Sequence, residues 1–505
     1  MADRNFCDSR LELAPCNPNS CKIVLEPRTL SAVKRRNTRS HNCNPTPILP
    51  PISVGKFAMP LQPNRRSFVK SATLASAAIA LPALQYSRVY GANSRLGIAS
   101  IGTGGKGWSD LNGVAASPEV EVIGLCDIDS SLEHLGKAAS KYQNARRYDD
   151  WRILLDESKD IQGVLVSTPD FMHAPISLAA MQLGKHVFCQ KPLTHTVFEA
   201  RQMQLAAKKF KLTTQMCNQI QSHSAYRTAV QIVHTGMIGK VKEVHSWQGG
   251  GTLWPRHIPR PEGSDPVPTH VRWDLWQGVA PERPYKKGMY HSFNWRGWQD
   301  YGTGQLGDFG CHILDPVFKS LKLGSPTSLK VSAPTLMPDS WTDSATVKYE
   351  FPGTEYTLGP SIHVTWYDAV GITPNRELLS DIPSSFKLPN AGSVLVGEKG
   401  SLVIPHVAMP KLFPEEKFPA DKTPVIKEVD HYVQWADACR GAGQTTSHFD
   451  YAGPLTEAVL LGTIGIRFPE QELKWDSKAL KITNHAMAQE RLTKSYRRGW
   501  TPTWL

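Results

Sequence analysis

A glycine-rich stretch at residues 102–107 constrains the fold of this chain more than any other feature. It follows directly on an apolar run at 96–101 that is typical of a short buried strand. A helix-compatible segment at 108–116 comes after it. A turn of this kind between a strand and a helix can bind the phosphates of a nucleotide, or it can be an ordinary flexible turn. The residues downstream decide between these two interpretations.

The spacing of the glycines fits close contact with a dinucleotide. Gly102 permits the tight turn, Gly104 lets the backbone approach a pyrophosphate, and Gly107 lets the helix pack closely on the strand. The start of the helix offers free N–H groups to the same anion. We therefore predict that four glycines contact the cofactor: Gly102, Gly104, Gly105 and Gly107.

A second apolar strand at 120–126 ends at Asp127, 20 residues beyond Gly107. A carboxylate at this distance from the glycine turn can accept both hydroxyl groups of the cofactor ribose. It also repels a 2′-phosphate, and the next residues, Ile128 and Asp129, provide no arginine to bind one. The predicted cofactor is therefore NAD in preference to NADP.

Strands and helices continue to alternate up to residue 218. The further predicted elements are 161–169 (strand), 173–185 (helix), 186–193 (strand), 196–209 (helix) and 212–218 (strand). This alternation predicts an α/β fold, with a Rossmann-type doubly wound parallel sheet over residues 94–218 that binds its ligand at the carboxyl ends of the strands. Besides Asp127, the predicted site residues at those ends are Thr168, Pro169, Lys191 and Asn218.

The positive charge of the chain is concentrated near its N-terminus. The formal net charge is +12, of which +10 falls on residues 1–95. Because the rest of the chain is close to neutral, no nucleic-acid-binding surface is predicted on the folded body. The nine cysteines are scattered without the paired spacing of a zinc centre, so no metal site is predicted either.

The first 93 residues are predicted to be a leader rather than a domain. Residues 1–58 are rich in Pro, Asn and Arg without periodicity, which indicates a disordered leader or an over-extended translation start. In residues 59–93, Arg65 and Arg66 precede an apolar run at 71–84 that is too short to span a membrane. This layout is typical of a twin-arginine signal and predicts a bacterial protein exported to the periplasm or another extracytoplasmic compartment by the twin-arginine machinery. A basic amphipathic helix is the alternative.

Residues 219–505 are predicted to form a second, α/β substrate domain with a large, mainly antiparallel open sheet. Strand-like segments begin at residue 241, and 393–405 has the pattern of a hairpin. An exposed sheet of this kind also allows a homo-oligomer. A Pro- and Trp-rich insertion lies at 249–300. In or beside it, six tryptophans either pack a loop-rich layer or face a sugar ring: Trp247, Trp254, Trp273, Trp276, Trp295 and Trp298.

The segment 294–315 contains the residues best suited to acid–base chemistry. Asp308 and His312 are four residues apart and therefore share one face of a predicted helix. The imidazole can take a hydroxyl proton while hydride leaves the same carbon, and the carboxylate can orient the ring. The alternatives are a structural pair without chemistry and a metal-binding pair, for which no third ligand is positioned by the sequence.

In combination, these motifs resemble those of the glucose–fructose oxidoreductase/inositol dehydrogenase/MocA family over about residues 94–480. The resemblance rests on the glycine turn, Asp127, Lys191-Pro192, Asn-Trp-Arg at 294–296, and the Asp308/His312 pair. It implies a Rossmann domain followed by an α/β domain with a large open sheet. It also implies oxidoreduction of sugars or polyols with NAD or NADP.

The resemblance assigns two groups of residues. The catalytic group is Lys191, which would contact the substrate hydroxyl and the nicotinamide ribose, with Asp308 and His312 as the acid–base pair. Trp295 and Arg296 would lie near the cofactor.

One position departs from the pattern of the family, because Gln190 stands where a Glu is usual. Lys191 thus lacks an adjacent carboxylate, and we expect its orientation to differ while the type of reaction stays the same.

The sequence therefore predicts an exported oxidoreductase that transfers hydride between a nicotinamide and a hydroxyl of a sugar or polyol. An enzyme that oxidises a sugar transiently, eliminates a glycosidic substituent and reduces the sugar again would use the same residues. A non-catalytic sugar-binding protein with a vestigial nucleotide fold is a third reading, against which the joint presence of Lys191, Asp308 and His312 argues.

Overall fold

The computed structural model describes residues 95–502 of the 505-residue chain. The predicted leader at 1–58 and the twin-arginine segment at 59–93 lie outside the described residues. Within the described residues, none of the helices combines the length and the apolar character that a membrane crossing requires.

Six parallel strands form the first sheet, which confirms the predicted doubly wound arrangement. They are β1 (Leu96–Ile101), β2 (Val120–Cys126), β3 (Arg146–Tyr148), β4 (Gly163–Val166), β5 (His186–Gln190) and β6 (Thr214–Cys217). Their order is β3-β2-β1-β4-β5-β6, so strand addition changes direction between β1 and β4. The crevice at that point, beyond the carboxyl ends of the strands, is where a sheet of this topology binds its ligand.

The first sheet is buried on both faces. Along β1, Leu96 and Ile98 belong to one hydrophobic core, and Ala99 and Ile101 belong to another. This two-sided burial explains why the strand is a continuous apolar run rather than an alternating one. The helices of this half are α1 (Gly105–Val114), α2 (Leu135–Lys141), α3 (Trp151–Glu157), α4 (Asp170–Gln182) and α5 (Val197–Phe210).

Two helix boundaries differ from the predicted ones. Helix α1 begins at Gly105, inside the glycine turn, three residues earlier than the predicted start. Helix α5 begins after Thr196, whose hydroxyl accepts the Glu199 N–H while the Glu199 carboxylate accepts the Thr196 N–H. Thr196 is thus the cap of the helix rather than its first residue.

Nine strands form the second sheet, in the order β13-β12-β11-β7-β10-β9-β8-β14-β15 once numbered along the chain. They are β7 (Val241–Gln248), β8 (Ser328–Ser332), β9 (Ala345–Pro352), β10 (Ser361–Asp368), β11 (Ala391–Gly397), β12 (Ser401–Pro405), β13 (Lys411–Phe413), β14 (Glu472–Asp476) and β15 (Lys481–Ile482). All neighbours pair antiparallel except β7 and β10, which are parallel. The mainly antiparallel sheet and the hairpin β11–β12 are therefore confirmed.

The second half of the described chain contains seven helices, of which α11 (Phe449–Ile466) contacts β6 of the first sheet and β8 and β9 of the second. They are α6 (Ser224–His234), α7 (Trp273–Gln277), α8 (Gly304–Ile313), α9 (Asp315–Leu321), α10 (His431–Cys439), α11 (Phe449–Ile466) and α12 (Ala486–Glu490). Helix α11 packs against both α5 and α8.

Helix α10 returns to the nucleotide half and completes its core. The Trp435 ring packs edge-on against Phe188 of β5, with 5.6 Å between ring centroids. The Tyr432 ring lies against α1 at Gly113, where a β-carbon would be 2.6 Å from it. The domain boundary predicted after residue 218 falls directly after β6. Helix α10 follows this boundary in the chain but packs against the nucleotide half.

Candidate active site

One cleft of about 530 Å³ brings most of the predicted site residues together. It extends from the glycine turn, past the carboxyl ends of β1, β2, β4 and β5, to α8 and the insertion. The predicted residues that line it are Gly102, Gly104, Gly105, Asp127, Thr168, Pro169, Lys191, Trp295, Arg296, Asp308 and His312. Two predicted cofactor contacts, Gly107 and Asn218, are not part of its lining.

Two positions of the glycine turn leave no room for a side chain. Gly102 has a φ of +83°, and a β-carbon there would lie 2.5 Å from the carbonyl oxygen of Ser167. A β-carbon at Gly107 would lie 2.1 Å from the carbonyl oxygen of Gly102. The absence of a side chain at Gly107 therefore allows α1 to pack closely on β1, and Gly107 does not line the cleft.

The amino end of α1 opens at the cleft without a side-chain cap. Gly104 is the capping residue, and no side chain hydrogen-bonds the first turn from that position. Uncapped N–H groups and the positive end of the helix dipole suit a phosphate. Together with Asp127 at the end of β2, the turn fits the pyrophosphate and ribose of a dinucleotide.

Asp127 is held in place by the glycine turn itself. Its Oδ2 accepts hydrogen bonds from the Thr103 N–H at 2.7 Å and the Gly104 N–H at 3.3 Å, and its Oδ1 accepts one from the Asp129 N–H at 3.0 Å. Burial would raise the pKa of Asp127, but the hydrogen bond and charge of His134 and the N–H groups of Thr103 and Asp129 lower it below its ordinary value. The carboxylate therefore stays charged. Its Oδ2 also accepts a hydrogen bond from the Thr103 hydroxyl at 3.1 Å, so Oδ1, which has one donor, is the oxygen left for a ribose hydroxyl.

At the other strand ends, Thr168 and Asn218 have different surroundings. The Thr168 hydroxyl is buried at the cleft and has no hydrogen-bond partner among residues 95–502. Asn218 is fully buried, and its amide donates to the carbonyl oxygen of Cys311 at 2.9 Å. We predicted that Asn218 contacts the cofactor, but its side chain lies outside the lining of the cleft and binds α8 to the end of β6.

Lys191, at the end of β5, forms an ion pair with α8. Its Nζ lies 2.7 Å from Oδ1 of Asp308 and donates to the Asp308 carbonyl oxygen at 2.9 Å. Arg296 Nε lies 3.2 Å from the same carboxylate oxygen, and its guanidinium stacks on the Trp295 ring at 4.3 Å. Burial alone would raise the pKa of Asp308, but Lys191 and Arg296 lower it to about 2.

This ion pair corrects one expected role. Asp308 was expected to orient the ring of His312, four residues along α8. Its carboxylate is instead bound by two cations, Lys191 and Arg296, and the ring of His312 is not among its hydrogen-bond partners in the described part of the chain. The physical reason is that a charged donor binds a carboxylate more strongly than a neutral imidazole does.

His312 lines the cleft on the same helix face as Asp308. Its Nδ1 is buried without a hydrogen-bond partner among the described residues. Burial lowers the pKa of His312 well below its ordinary value, and the positive charge of Lys191 and the neighbouring His406 lower it further. The ring is therefore neutral near pH 7 and can accept a proton.

Gln190 bonds to a carboxylate that the sequence did not indicate. Its Nε2 donates to Oδ2 of Asp110, at 2.7 Å, and its Oε1 accepts the Lys191 N–H at 3.2 Å. Asp110 has no exposed surface and also binds the Lys106 ammonium and the Ser167 hydroxyl. Gln190 thus links the backbone of Lys191 to a buried anion in α1.

Other residues of the cleft carry no sequence signal that would have assigned them. His134 and His291 line the cleft beside Asp127, although they are far apart in the chain. Of the six tryptophans, Trp254, Trp276 and Trp295 line the cleft. Trp247, Trp273 and Trp298 belong to hydrophobic cores, as do the cleft-lining Trp276 and Trp295, so the packing interpretation is confirmed for these five. Contact with a sugar ring stays a prediction.

Comparison with protein-family models adds the deciding observation. Residues 96–217 match the NAD-binding Rossmann fold of an oxidoreductase family, Gfo/Idh/MocA, and residues 226–358 match the C-terminal alpha/beta domain of the same family. The two matches cover about half of the chain. This chain belongs to the Gfo/Idh/MocA oxidoreductase family.

Curated relatives of this family member match it over only part of their length. A glycosyl hydrolase family 109 protein of Stenotrophomonas maltophilia is 30% identical over 257 residues, 48% of this chain and 49% of the relative. A levoglucosan dehydrogenase of Pseudarthrobacter phenanthrenivorans is 30% identical over 190 residues, 37% of this chain and 40% of the relative. The chain thus spans about half, or less, of the length of these relatives.

Solved structures share the fold of this family member. The WlbA dehydrogenase from Chromobacterium violaceum, in complex with NADH and UDP-GlcNAcA, has a TM-score of 0.55 at 16% identity, and the match covers 76% of this chain and 97% of that one. An inositol dehydrogenase homolog from Azotobacter vinelandii, complexed with NADH and myo-inositol, has a TM-score of 0.51 at 18% identity, covering 76% and 98%. At these identities the likeness concerns the fold alone.

Proposed function

We propose that this chain is an NAD-dependent oxidoreductase that transfers hydride between a nicotinamide and a hydroxyl-bearing carbon of a sugar or polyol. One observation carries the proposal: Lys191, Asp308 and His312 line the same cleft as the glycine turn. A neutral imidazole and a fixed ammonium thus face the space next to a dinucleotide site.

The side chains divide the work of the reaction between them. When bound, the nicotinamide supplies a hydride acceptor. The neutral ring of His312 accepts the proton of the substrate hydroxyl. The ammonium of Lys191 stabilises the negative charge that develops on the oxygen, and Asp308 holds that ammonium in position.

The preference for NAD over NADP rests on Asp127. Its carboxylate is charged and fixed at the ribose end of the cleft by the Thr103 and Gly104 N–H groups. A 2′-phosphate in that position would meet like charge. The histidines nearby, His134 and His291, are themselves engaged by Asp127 and Asp129.

Sugars and polyols are the proposed substrates because of the cleft lining and the relatives. Trp254 and Phe293 line the cleft near Arg296, and aromatic faces pack well on the C–H faces of sugar rings. Levoglucosan dehydrogenase and the inositol 2-dehydrogenase of Salmonella typhimurium, 30% identical over 128 residues, act on such molecules by name.

A second candidate function is the redox-assisted cleavage of a glycoside. The observation that favours it is the match of 257 residues to a glycosyl hydrolase family 109 protein. In this reaction, a hydroxyl-bearing carbon of the sugar loses its proton and a hydride and becomes a carbonyl. The carbon next to it then loses a proton while the glycosidic substituent leaves as an alcohol. Water adds across the resulting double bond, and hydride and a proton return to the carbonyl. His312 and Lys191 would serve the oxidation step in the same way.

One experiment separates these candidates. The nucleotide released from the natively purified full chain is identified by mass spectrometry, and a panel of free sugars and aryl glycosides is then followed by NADH absorbance and by aglycone release. Accumulation of NADH with a free sugar supports the dehydrogenase. Release of aglycone without net NADH supports the glycosidase, and the absence of both together with sugar binding supports a non-catalytic protein.

Export and assembly stay predictions of the sequence that we retain as proposals. Replacement of Arg65 and Arg66 by Lys should leave the protein in the cytoplasm of an expressing bacterium if the twin-arginine machinery exports it. Light scattering of the purified protein tests whether it is a homo-oligomer.

A further inference from the structure

Three side chains that can bind a metal ion meet at the nucleotide end of the cleft. Asp129 follows β2, His134 precedes α2, and His291 belongs to the insertion. One potential ligand atom from each, a carboxylate oxygen or an imidazole nitrogen, lies within 4.8 Å of the other two. We call these three residues the Asp129 cluster.

Hydrogen bonding accounts for only part of this geometry. Nε2 of His291 lies 2.7 Å from Oδ2 of Asp129, which is a hydrogen bond. Nε2 of His134 lies 3.8 Å from the same oxygen, which is too long for one. A second imidazole nitrogen therefore faces the carboxylate across a gap, and an ion about 2.1 Å from each ligand atom would bridge that gap after small side-chain movements.

Two of the potential ligands, His134 and Asp129, also have neighbours that could hydrogen-bond to them and hold them in place, as the ligands of metal sites usually do. Nδ1 of His134 lies 3.5 Å from Oδ2 of Asp127, and Nδ1 of His270 lies 2.9 Å from Oδ1 of Asp129. A carboxylate behind a metal-bound imidazole fixes its tautomer and orientation. A hydrogen bond to the free oxygen of a metal-bound carboxylate does the same for that ligand.

The cluster is also accessible and joins two parts of the chain. His134 and His291 line the cleft, which gives an ion a path of entry, while Asp129 is 3% exposed. Next to it, the backbone of the insertion already pairs with the loop after β2, through an N–H···O bond from Ser130 to His270 and one from Arg272 to Ile128. An ion here would fasten the insertion to that loop.

We propose that Asp129, His134 and His291 form a binding site for a divalent first-row transition-metal ion such as Zn²⁺. Two imidazoles and one carboxylate are ligands that Zn²⁺ prefers, and three protein ligands leave a fourth position open towards the cleft. The ion stabilises the contact between the insertion and the nucleotide half. The proposal does not depend on the proposed function, since the site binds the ion whatever the reaction is.

The test compares zinc binding by the full chain and its variants. Protein prepared without a polyhistidine tag is stripped with a chelator, dialysed against Zn²⁺, and measured for bound zinc and for thermal stability. We expect His291→Ala and Asp129→Asn to bind one zinc fewer per chain than the wild type and to lose the zinc-induced rise in Tm. His270→Ala should bind it roughly 10- to 100-fold more weakly. His363→Ala, which removes an exposed histidine of β10, should behave like the wild type.

Two further measurements keep the result unambiguous. In an absorption spectrum, cobalt(II) bound to the Asp129 cluster should give visible d–d bands without thiolate-to-metal charge-transfer bands. Cobalt(II) bound by cysteines, such as Cys7 or Cys16, would add those charge-transfer bands. Anomalous diffraction at the zinc edge from wild-type crystals should show a peak between the three ligands even if a variant fails to fold. Equal zinc content in wild type and both ligand variants, or no anomalous peak at the cluster, overturns the proposal.

Discussion

The side-chain amide of Gln190 donates a hydrogen bond of 2.7 Å to the carboxylate of Asp110, a residue without any exposed surface. Asp110 is also bound by Lys106, Ser167 and Tyr432. The sequence indicated that Lys191 lacks a carboxylate neighbour at position 190. In the structure Lys191 forms an ion pair with Asp308, and Gln190 donates a hydrogen bond to the carboxylate of Asp110. An amide at position 190 therefore fits better than a carboxylate, which would face Asp110 as a second anion.

The first prediction follows from this pair. Gln190→Glu would bring two carboxylates to hydrogen-bond distance inside the protein, which should reduce the free energy of unfolding by on the order of 3 kcal/mol. Adding Asp110→Asn to Gln190→Glu again pairs one amide with one carboxylate. This double variant should recover much of the lost free energy of unfolding. Urea unfolding of both single variants and the double variant gives the coupling, with Gln190→Met as a control without charge. A double variant as unstable as the sum of its parts would contradict the pairing.

The second prediction concerns Lys191. Lys191→Met removes the ammonium that we propose to stabilise the reacting oxygen, so kcat should fall roughly 100- to 1,000-fold, by analogy with the loss of one oxyanion donor. The glycine turn and Asp127 are untouched, so nucleotide affinity, measured by fluorescence titration, should change far less than kcat. Lys191→Arg is the control that keeps the charge with another shape. If kcat of Lys191→Met equals that of the wild type, the lysine does not act on the reacting oxygen.

The fold followed from the sequence where burial dictates the pattern. Strands β1 and β2 have the predicted bounds because each is mainly apolar and ends at a polar turn, although the exposed Glu121 interrupts β2. Strand β3 was missed since its side chains are largely exposed and carry two arginines. Helix α11 was missed for the opposite reason, because it is buried almost all round and shows no polar face to reveal its period.

The site was predictable where residues follow strand ends and not where it depends on tertiary contacts. Lys191 and Asp308 could be assigned separately, but the sequence could not show that they bind each other across 117 positions. Gln190 and Asp110 are 80 positions apart, and His291 and Asp129 are 162 apart. Asn218 has the right position at the end of β6, yet its side chain turns inward, which only packing decides.

The third prediction tests the glycine turn. Gly107→Ala would put a β-carbon 2.1 Å from the carbonyl oxygen of Gly102, so α1 must move away from β1. We expect a lower Tm and weaker nucleotide binding, because the N–H groups at the start of α1 move with the helix. Gly324→Ala is the matched control, since a β-carbon there would meet nothing within 4 Å. Equal nucleotide affinity and Tm in both variants would show that the turn tolerates a side chain.

The last prediction concerns the pH dependence of the proposed sugar oxidation, in which His312 would act in its neutral form. Burial and the charge of Lys191 lower the pKa of His312 well below its ordinary value of 6.5. The neutral fraction therefore stays near its maximum as the pH falls from 7 to 6.5, and kcat should decline only at lower pH. A His312→Ala variant should lose roughly 100- to 10,000-fold in kcat and show no such decline.

A full pH profile of kcat for wild type and variant, in a buffer series of constant ionic strength, measures both effects. Asp308 has a pKa of about 2 and stays charged throughout this range, so its titration does not contribute to the acidic limb. His406 has a pKa of about 4 and lies beside His312, with 5.8 Å between ring centroids. The variant His406→Gln separates the titration of His406 from that of His312. If the decline of kcat at low pH persists in His312→Ala but disappears in His406→Gln, the essential neutral imidazole is that of His406 instead.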